Sequence, residues 1–395
     1  MISPGREKAE GAAVNLRMGV MLACIGLAAC GTRPGETGGL FHESVGVVAL
    51  YHEDGRPVSH DERPTYHGGP GLAPKTILPD TLNVLALSGG GSHGAFGAGL
   101  LNGWTQSGKR PQFDVVTGIS TGALMAPFAF IGPVEDRVLE EIYTTTDNSA
   151  VFQSRGIRGL LGDSLLDSTP LRMQVDRLVT DDFLKQVALQ QARGRRLYIG
   201  TTNLDTSELV VWDMGGIAAS DFQHKRELFI SIMHASASVP GIFAPVFLRG
   251  EGDETPSMHV DGGVTAPLLF RSFMVQGRQK HKNVYLIVNG HFRLREDDED
   301  VNPNLASIAG KSIGELLRGL LEKTVYQAYV TSRHSHADFN LAFIPDEEDA
   351  PANALHFDPQ KMRELYEIGR QIGHGDTHWL KEPPRLSGLE RVSGR

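Results

Sequence analysis

The chain has 395 residues, of which 40% are hydrophobic and 22% are charged, and its formal net charge is −9. This length and apolar content are enough for one large domain or two ordinary ones. The negative charge argues against a nucleic-acid partner, which would require a basic surface, and it gives no electrostatic attraction to anionic lipid. Any contact with lipid must therefore be mainly apolar.

The first 29 residues are predicted to be a signal peptide, because basic residues precede an apolar run at 18–29 that is too short to span a bilayer. Cys30 follows, and residues 27–30, LAAC, resemble the lipobox of bacterial lipoproteins, in which the cysteine thiol carries a diacylglyceryl group. The alternative is an ordinary signal peptide with a chance cysteine. We expect Cys30 to be the lipidated N-terminus of a membrane-anchored protein of the bacterial cell envelope, at the outer membrane or the periplasmic face.

Residues 30–80 are predicted to be a flexible tether after the lipidated N-terminus, because they are rich in glycine, proline and histidine. They contain one short β-like run at 45–51. They also contain HGGPG at 67–71, which is similar to the oxyanion-hole loop of proline iminopeptidases. No strand is predicted before that sequence, and Pro64 argues against one. We therefore interpret it as a plain turn.

A glycine-rich turn follows the first strongly predicted strand. Residues 82–87, LNVLAL, are an apolar β-like run, residues 88–94 are SGGGSHG, and an apolar helix is expected to about Trp104. Glycines between a strand and a helix let backbone N–H groups converge on an anion at the positive end of the helix dipole. The anion would be either a pyrophosphate, since residues 89–94 match G-x-G-x-x-G, or the oxyanion of an acyl-transfer reaction.

The position of Asp114 favours the oxyanion. A dinucleotide-binding fold places an acidic residue about 20 residues after the glycines, at the end of the second strand. Asp114 lies 20 residues beyond Gly94 but precedes the β-rich pair Val115 and Val116. A motif typical of a nucleophile also follows the glycine loop after one further strand.

That motif is the G-x-S-x-G sequence around Ser120, with Gly118 and Gly122 on either side. A β-rich run at 113–116 precedes it, and an apolar helix at 123–131 follows it. This strand–turn–helix context is that of a nucleophile elbow, in which a tight corner exposes the serine hydroxyl and a Cβ on either glycine would crowd the neighbouring strand and helix. We predict that Ser120 is the attacking group.

A second G-x-S-x-G sequence, GKSIG, occupies residues 310–314. It lies in a helix-like run at 304–331 with no β-rich segment before it, so it lacks the context of an elbow. The same residues include Gly-Lys-Ser, but Leu305 stands where a P-loop needs its first glycine. We assign no catalytic function to Ser312.

Beyond the elbow, strands alternate with helices, which predicts an α/β sandwich with a largely parallel central sheet. The predicted helices are 134–143, 169–191, 225–237, 304–331 and 359–380, and the predicted strands are 196–201, 208–213, 258–260, 283–289 and 340–344. The strand at 258–260 delivers Asp261, which is followed by Gly262 and Gly263. From these residues alone, Asp261 is either a catalytic carboxylate or the aspartate of a glycine-rich turn.

Three separated blocks resemble those of the patatin-like phospholipases, in the order of that family. The glycine loop at 89–94 resembles the oxyanion block, the sequence around Ser120 resembles the nucleophile block, and Asp261 with its two glycines resembles the block that carries the catalytic aspartate. Residues 237–245, ASVPGIFAP, resemble a further segment of the family. The resemblance covers roughly residues 82–344.

The resemblance implies a three-layer α/β/α sandwich and a lipid acyl hydrolase that cleaves carboxylic esters of phospholipids or related lipids. The chemistry implied is a Ser–Asp dyad with an acyl-enzyme intermediate, and neither a metal nor another cofactor is needed. Ser120 would attack the ester carbonyl, and Asp261 would accept its proton. The predicted oxyanion-hole donors are the N–H groups of Gly89, Gly90 and Gly91. The supporting motif residues are Gly94, Gly118, Gly122, Gly262 and Gly263.

The sequence departs from the family pattern at two places. The family usually has Arg or Lys where His93 stands, and it often has asparagine where Ala266 and Pro267 stand. The head group that the protein accepts therefore does not follow from the resemblance. We expect a lipid substrate, a membrane reached through the N-terminal anchor, and no nucleic-acid partner. We place the catalytic domain at 81–345 and a C-terminal helix and tail at 346–395.

Two other functions fit these residues. One is a triad-type α/β-hydrolase that acts on a soluble ester or peptide, with a histidine after Asp261 as the base, of which His291 at the end of a strand is the best rival. The other is a nucleotide-binding module built on the glycine loop. An aspartate base predicts no loss of activity near pH 6.5, where a histidine base would be protonated.

Overall fold

The computed structural model describes residues 47–51, 80–156, 164–248, 256–275, 279–292, 305–348, 350, 353–375 and 379–384. The predicted signal peptide, Cys30 and the turn at 67–71 lie outside these ranges. The strands are β1 (Val47–Tyr51), β2 (Thr81–Leu87), β3 (Val115–Gly118), β4 (Gln153–Ser154), β5 (Ser164–Asp167), β6 (Arg196–Asn203), β7 (Glu208–Asp213), β8 (Gly241–Phe243), β9 (Val246–Leu248), β10 (Ser257–Asp261), β11 (His281–Val288) and β12 (Asp338–Phe343).

The α-helices of the described residues alternate with these strands. They are α1 (Gly94–Gln106), α2 (Thr121–Ile131), α3 (Asp136–Thr145), α4 (Asn148–Val151), α5 (Thr169–Leu178), α6 (Asp181–Ala192), α7 (Met214–Ala219), α8 (Lys225–Ser236), α9 (Leu305–His334) and α10 (Pro359–His374). Two 3₁₀ helices, Gly91–His93 and Gly262–Val264, lie inside the predicted site motifs. No helix of the described part of the chain combines the length and apolar character that crossing a bilayer requires.

The main sheet has the strand order β1-β7-β6-β3-β2-β11-β12. All neighbours from β6 to β12 run parallel. At the other edge β7 and β1 add antiparallel, and β10 pairs antiparallel with both β6 and β9. Strands β4, β5 and β8 form a separate small sheet. The predicted sandwich with a largely parallel central sheet is confirmed.

The side chains of β2 alternate between two hydrophobic cores, as the two-residue period of a strand requires. Leu85 and Leu87 belong to the core that also contains the apolar residues of α1 and α2. Val84 and Ala86 belong to the core on the opposite face, which α9 covers. All four side chains are completely buried. Helices thus cover both faces of the sheet and give the three layers that were predicted.

Helices α1 and α10 pack at unusually short range. A Cβ at Gly99 of α1 would lie 1.9 Å from the carbonyl oxygen of Tyr366, and a Cβ at Gly369 of α10 would lie 2.1 Å from that of Phe96. Glycines on both helices therefore let the two backbones touch. This contact ties the C-terminal helix to the helix that follows the glycine loop.

Two predicted segments have different structures. The single helix predicted at 169–191 is divided into α5 and α6, because the Thr180 hydroxyl accepts the N–H of Phe183 at 3.2 Å and starts a new helix. The tether predicted at 30–80 contributes β1 to the sheet, with Leu50 opposite Val210 of β7, and β1 lies on the β-like run predicted at 45–51. The cap of α6 and the pairing of β1 with β7 are contacts that a local apolar pattern does not encode.

Candidate active site

The glycine loop and the elbow lie side by side because they follow neighbouring strands. β2 and β3 are parallel and in register, with Leu87 opposite Gly118. The carboxyl ends of both strands therefore reach the same edge of the sheet, where open α/β sheets commonly bind ligands. The glycine loop begins one residue after Leu87, and Ser120 stands two residues after Gly118.

The elbow has the strained geometry that its function requires. Ser120 has φ 54° and ψ −124°, a conformation that residues with a side chain rarely adopt. A Cβ at Gly118 would lie 2.2 Å from the carbonyl oxygen of Gly122, and one at Gly122 would lie 2.4 Å from that of Leu87. Ser120 is partly exposed, and α2 begins at the next residue. The turn therefore presents the serine hydroxyl at the sheet edge.

Asp261 reaches the elbow through β6. Strand β7 pairs with residues 198–203 of β6, so β10, which pairs with 201–203, must use the other edge of that strand. β3 uses this same edge at 196–199. The carboxyl ends of β3 and β10 therefore meet, with Gly118 opposite Ile199 and Asp261 opposite Thr201.

The carboxylate of Asp261 is buried, and the Ser120 hydroxyl lies close enough to favour its charged form. Its Oδ1 also accepts the N–H of Gly263 at 2.7 Å. Burial raises the pKa of Asp261 to about 6, and the Ser120 hydroxyl and the N–H of Gly263 oppose this rise. A carboxylate with this pKa is ionised at neutral pH and is a stronger base than an ordinary aspartate.

The glycine loop offers two backbone donors. Gly90 and Gly91 have positive φ values of 153° and 53°. A Cβ at Gly90 would lie 2.0 Å from the carbonyl oxygen of Asn289, so this position requires glycine. Both glycines are partly exposed, and neither N–H has a hydrogen-bond partner among the residues that the structure describes. These N–H groups are available to a ligand at the glycine loop.

The N–H of Gly89, one of the three predicted oxyanion donors, already has a partner inside the protein. It donates to the carbonyl oxygen of Pro267 at 3.0 Å, so this donor is already used. A Cβ at Gly89 would lie 3.2 Å from the Cβ of Ser120. The absence of a side chain at Gly89 therefore keeps open the space beside the Ser120 hydroxyl. The available donors of the loop are those of Gly90 and Gly91.

The other predicted glycines allow close packing around the site. A Cβ at Gly94 would lie 2.4 Å from Oγ1 of Thr121, where the starts of α1 and α2 meet. A Cβ at Gly262 would lie 2.5 Å from the carbonyl oxygen of Gly200 on β6. These glycines bring the loop, the elbow and the aspartate turn within contact distance of one another.

His259, two residues before Asp261, has a structural role. Its Nδ1 lies 2.9 Å from the Thr201 hydroxyl, and its ring is 5.7 Å from that of Trp212. Burial lowers the pKa of His259 to about 4 and keeps the ring neutral.

Three residues that the sequence did not identify hold the site in place. Asn289 follows β11, and its N–H and Nδ2 donate to Oγ and O of Ser88 at 2.8 and 2.9 Å, which fixes the base of the glycine loop. Ser236 and Ser238 come from the end of α8 and contact the backbones of Ser120 and Asp261. A polar residue at the end of an apolar strand was a usable signal for Asn289, and Ser238 lies in the segment 237–245 that resembles the family, but nothing local distinguished Ser236.

The described part of the chain contains no group of three or more His, Cys, Asp or Glu side chains placed to hold a metal ion. The arrangement consists of a partly exposed hydroxyl, a buried carboxylate near it and two backbone donors in the adjoining glycine loop. These are the components that acyl transfer through a serine requires.

Comparison with solved structures gives distant matches. VipD from Legionella pneumophila is 12% identical with a TM-score of 0.39, and the match covers 87% of this chain and 72% of VipD. The type III effector protein ExoU is 12% identical with a TM-score of 0.32, and the match covers 76% of this chain and 53% of ExoU. The chain thus spans about half the length of ExoU. No curated protein matches.

The family comparison concerns the part of the chain that contains the site. Residues 85–274 match the model of the family described as patatin-like phospholipase. This range includes the glycine loop, Ser120 and Asp261, in agreement with the resemblance found in the sequence. Residues 85–274 of this chain are therefore similar to a patatin-like phospholipase domain.

Proposed function

We propose that the protein hydrolyses carboxylic esters of phospholipids or related lipids, with Ser120 as nucleophile and Asp261 as base. The observation that carries this proposal is the position of Ser120 and the buried carboxylate of Asp261, which meet where β3 and β10 end against β6. The free N–H groups of Gly90 and Gly91 in the adjoining glycine loop, and the match to a family of phospholipases, support it.

In the first half of the reaction, Asp261 accepts the Ser120 proton while Oγ forms a bond to the ester carbonyl carbon. The carbonyl electron pair moves to oxygen, and the N–H groups of Gly90 and Gly91 stabilise the negative charge. When the tetrahedral intermediate collapses, the C–O bond of the ester breaks and the proton on Asp261 passes to the leaving alcohol. The acyl group remains on Ser120 as an ester.

Water completes the reaction by the same route. Asp261 accepts a proton from the water as the water oxygen attacks the carbonyl carbon of the acyl-enzyme. The bond between the acyl carbon and Oγ of Ser120 then breaks, the proton passes from Asp261 to Oγ, and the fatty acid leaves. In each half-reaction Asp261 accepts one proton and then donates it to the leaving oxygen, so a single carboxylate serves as base and then as acid.

The contacts of Asp261 favour a dyad over a triad. Its carboxylate accepts the N–H of Gly263, its own N–H donates to Ser238, and the Ser120 hydroxyl favours its charged form, so no histidine is among the partners within the described ranges. The raised pKa also changes an expectation from the sequence. Because Asp261 titrates at about 6, activity should fall near the pH at which a histidine base would fail. The pH profile alone does not separate the two bases, and substitutions are needed.

The nucleotide-binding alternative is disfavoured by the position of Asp114. Its Oδ2 accepts the N–H of Asn83 at 2.7 Å, near the start of β2. Asp114 thus stands at the amino end of β3, roughly 13 Å from the carboxyl end at about 3.3 Å per residue. The acidic residue that a bound ribose needs is therefore at the wrong edge of the sheet.

We also propose that Cys30 carries a diacylglyceryl group and holds the enzyme at a membrane of the bacterial cell envelope. The lipobox-like sequence before Cys30 supports this, and two acyl chains are enough for stable anchoring. Mass spectrometry of membrane-extracted protein should show a mature chain that begins at diacylated Cys30. A soluble chain that begins elsewhere would refute the anchor without affecting the proposed chemistry.

A lipid-class activity screen tests the hydrolase. The mature protein should release fatty acid from phospholipids or related lipid esters, and Ser120→Ala should release none above background. Ser312→Ala is the matched control, because Ser312 occupies the same position of the second G-x-S-x-G sequence and is exposed on α9. Turnover of soluble esters with no turnover of lipid would favour the triad-type alternative, and equal activity of Ser120→Ala would exclude a role for this serine.

A further inference from the structure

The last residue of α8 and the segment just after it contact the backbones of both proposed reacting residues. The Oγ of Ser236 accepts the N–H of Ser120 at 3.1 Å. Two residues later, the carbonyl oxygen of Ser238 accepts the N–H of Asp261 at 2.9 Å. Ser236 and Ser238 are both buried, with 0% and 1% of their surface exposed. One helix end therefore holds the nucleophile and the base at the same time.

We propose that Ser236 is a positioning residue for the reaction, whose hydroxyl fixes the backbone of Ser120 so that its Oγ reaches both Asp261 and the ester. This inference rests on the proposed function of Ser120 as nucleophile. Ser236 touches no reacting atom, and it acts through the Ser120 N–H alone.

Ser120 needs such a partner because of where it lies in the chain. It follows the last residue of β3 by two positions and precedes the first residue of α2, so neither element provides an acceptor for its N–H. Its positive φ of 54° is unfavourable for a residue with a side chain and persists only where the surroundings enforce it. The Ser236 hydroxyl provides the acceptor for this N–H.

The orientation of the Ser236 hydroxyl is itself fixed. It donates to the carbonyl oxygen of Gly200 on β6 at 2.7 Å while it accepts from Ser120. Two such bonds in series strengthen each other in a buried setting. The same Gly200 oxygen lies where a Cβ at Gly262 would come within 2.5 Å. Ser236 thus connects the elbow to the strand on which the Asp261 turn packs.

Ser236→Ala removes this connection and leaves every proposed reacting group in place. We expect kcat, and the rate at which a fluorophosphonate labels Ser120, to fall roughly tenfold to a hundredfold, since small displacements of a nucleophile have effects of this size. KM should stay within about twofold, because no group that binds the lipid changes. A general loss of folded protein would instead lower the labelled fraction while the remaining molecules react at the normal rate.

Ser231→Ala is the matched control. Ser231 lies on the same helix and is equally buried, but its hydroxyl accepts from Arg172 at 3.2 Å, away from the elbow. We expect its labelling rate to equal that of the unmodified protein. If Ser236→Ala, shown to be folded by circular dichroism, also labels at the unmodified rate, the positioning role is excluded.

A second pair of variants separates the hydroxyl from the packing. Ser236→Thr and Ser236→Val add the same bulk, and only threonine keeps an Oγ. We expect threonine to label at least about tenfold faster than valine, as one buried hydrogen bond decides between them. Equal rates for the two would overturn the proposal. If the unmodified protein is not labelled at all, the proposed function itself fails, and this outcome is distinct from a labelled protein that is insensitive to Ser236.

Discussion

Residues 118–122 and 310–314 have the same Gly-x-Ser-x-Gly spacing and different structures. In the first, Ser120 adopts a positive φ between a strand and a helix, and both glycines touch neighbouring backbone. In the second, Ser312 is exposed within the 30 residues of α9, and a Cβ at Gly314 would have nothing within 4 Å. The comparison shows that the same spacing forms a tight corner only where a strand and a helix meet at the serine.

The largest expected effect is the loss of activity when either member of the proposed dyad, Ser120 or Asp261, is replaced. Asp261→Asn should lower activity about as much as Ser120→Ala, by roughly 10⁴-fold or more, because members of one catalytic unit fail together. Steady-state lipid hydrolysis measures both losses.

Single His→Ala variants, with His291→Ala first among them, should keep most of their activity. A folded histidine variant as inactive as Ser120→Ala would instead establish a triad. Ser312→Ala should match the unmodified protein throughout.

Gly118→Ala tests the corner. The new Cβ would lie 2.2 Å from the backbone of Gly122, so strand and helix must separate. We expect a loss of roughly 3 kcal/mol or more in the free energy of unfolding, at the upper end of what overpacking costs. Urea denaturation followed by circular dichroism measures it. A loss below about 1 kcal/mol would mean that the elbow relaxes more easily than its contacts indicate.

Gly90→Val tests the donors. The side chain would enter the space of the Asn289 carbonyl and displace the loop, while Ser120 and Asp261 remain in place. We expect turnover to fall by roughly a hundredfold or more, the effect of losing an oxyanion donor. Unchanged turnover in a folded variant would assign the donors elsewhere, and binding of a dinucleotide by the unmodified protein would contradict the oxyanion hole altogether.

The stability of the protein should also reveal the buried carboxylate. The folded-state pKa of Asp261 is raised to about 6 from its ordinary value of 3.8, so between these pH values the folded protein holds a proton that the unfolded chain releases. The contribution of Asp261 to the free energy of unfolding is therefore lost as pH rises from about 4 through 6. The loss is up to about 3 kcal/mol for a shift of roughly two pKa units. Asp261→Asn does not titrate, so its stability relative to the unmodified protein should increase over this interval. Unfolding curves at pH 4 and pH 7 measure the change, and a pH-independent difference would contradict the raised pKa.

The smallest effect belongs to the second motif. Gly314 is exposed in the interior of a helix, where alanine is preferred over glycine. Gly314→Ala should stabilise the protein by roughly 0.5–1 kcal/mol and leave activity unchanged. Thermal unfolding and lipid hydrolysis test both parts. A free energy of unfolding that falls in Gly118→Ala and rises in Gly314→Ala would show that only the first motif needs its glycine.

The sequence predicted the site components that are written in local patterns. Strand, turn and helix around Ser120 followed from apolar runs and glycines, and so did the position of Asp261 at the end of a short strand. The sequence did not predict that Gly89 donates to Pro267, because that contact joins residues 178 positions apart. It also missed Ser236 for the same reason, since a serine in an apolar helix has no local mark of its partner.

The carbonyl oxygen of Ala354 accepts the N–H of Ser92 at 2.8 Å and lies where a Cβ at Gly91 would come within 2.1 Å. The loop next to the nucleophile is thus braced by a segment outside the matched range of 85–274. A protein shortened to that range, or cut by a protease before residue 353, would keep Ser120 and Asp261 and lose this support. Such fragments should react with a fluorophosphonate far more slowly than the intact chain, and activity would then report proteolytic damage at the C-terminal end.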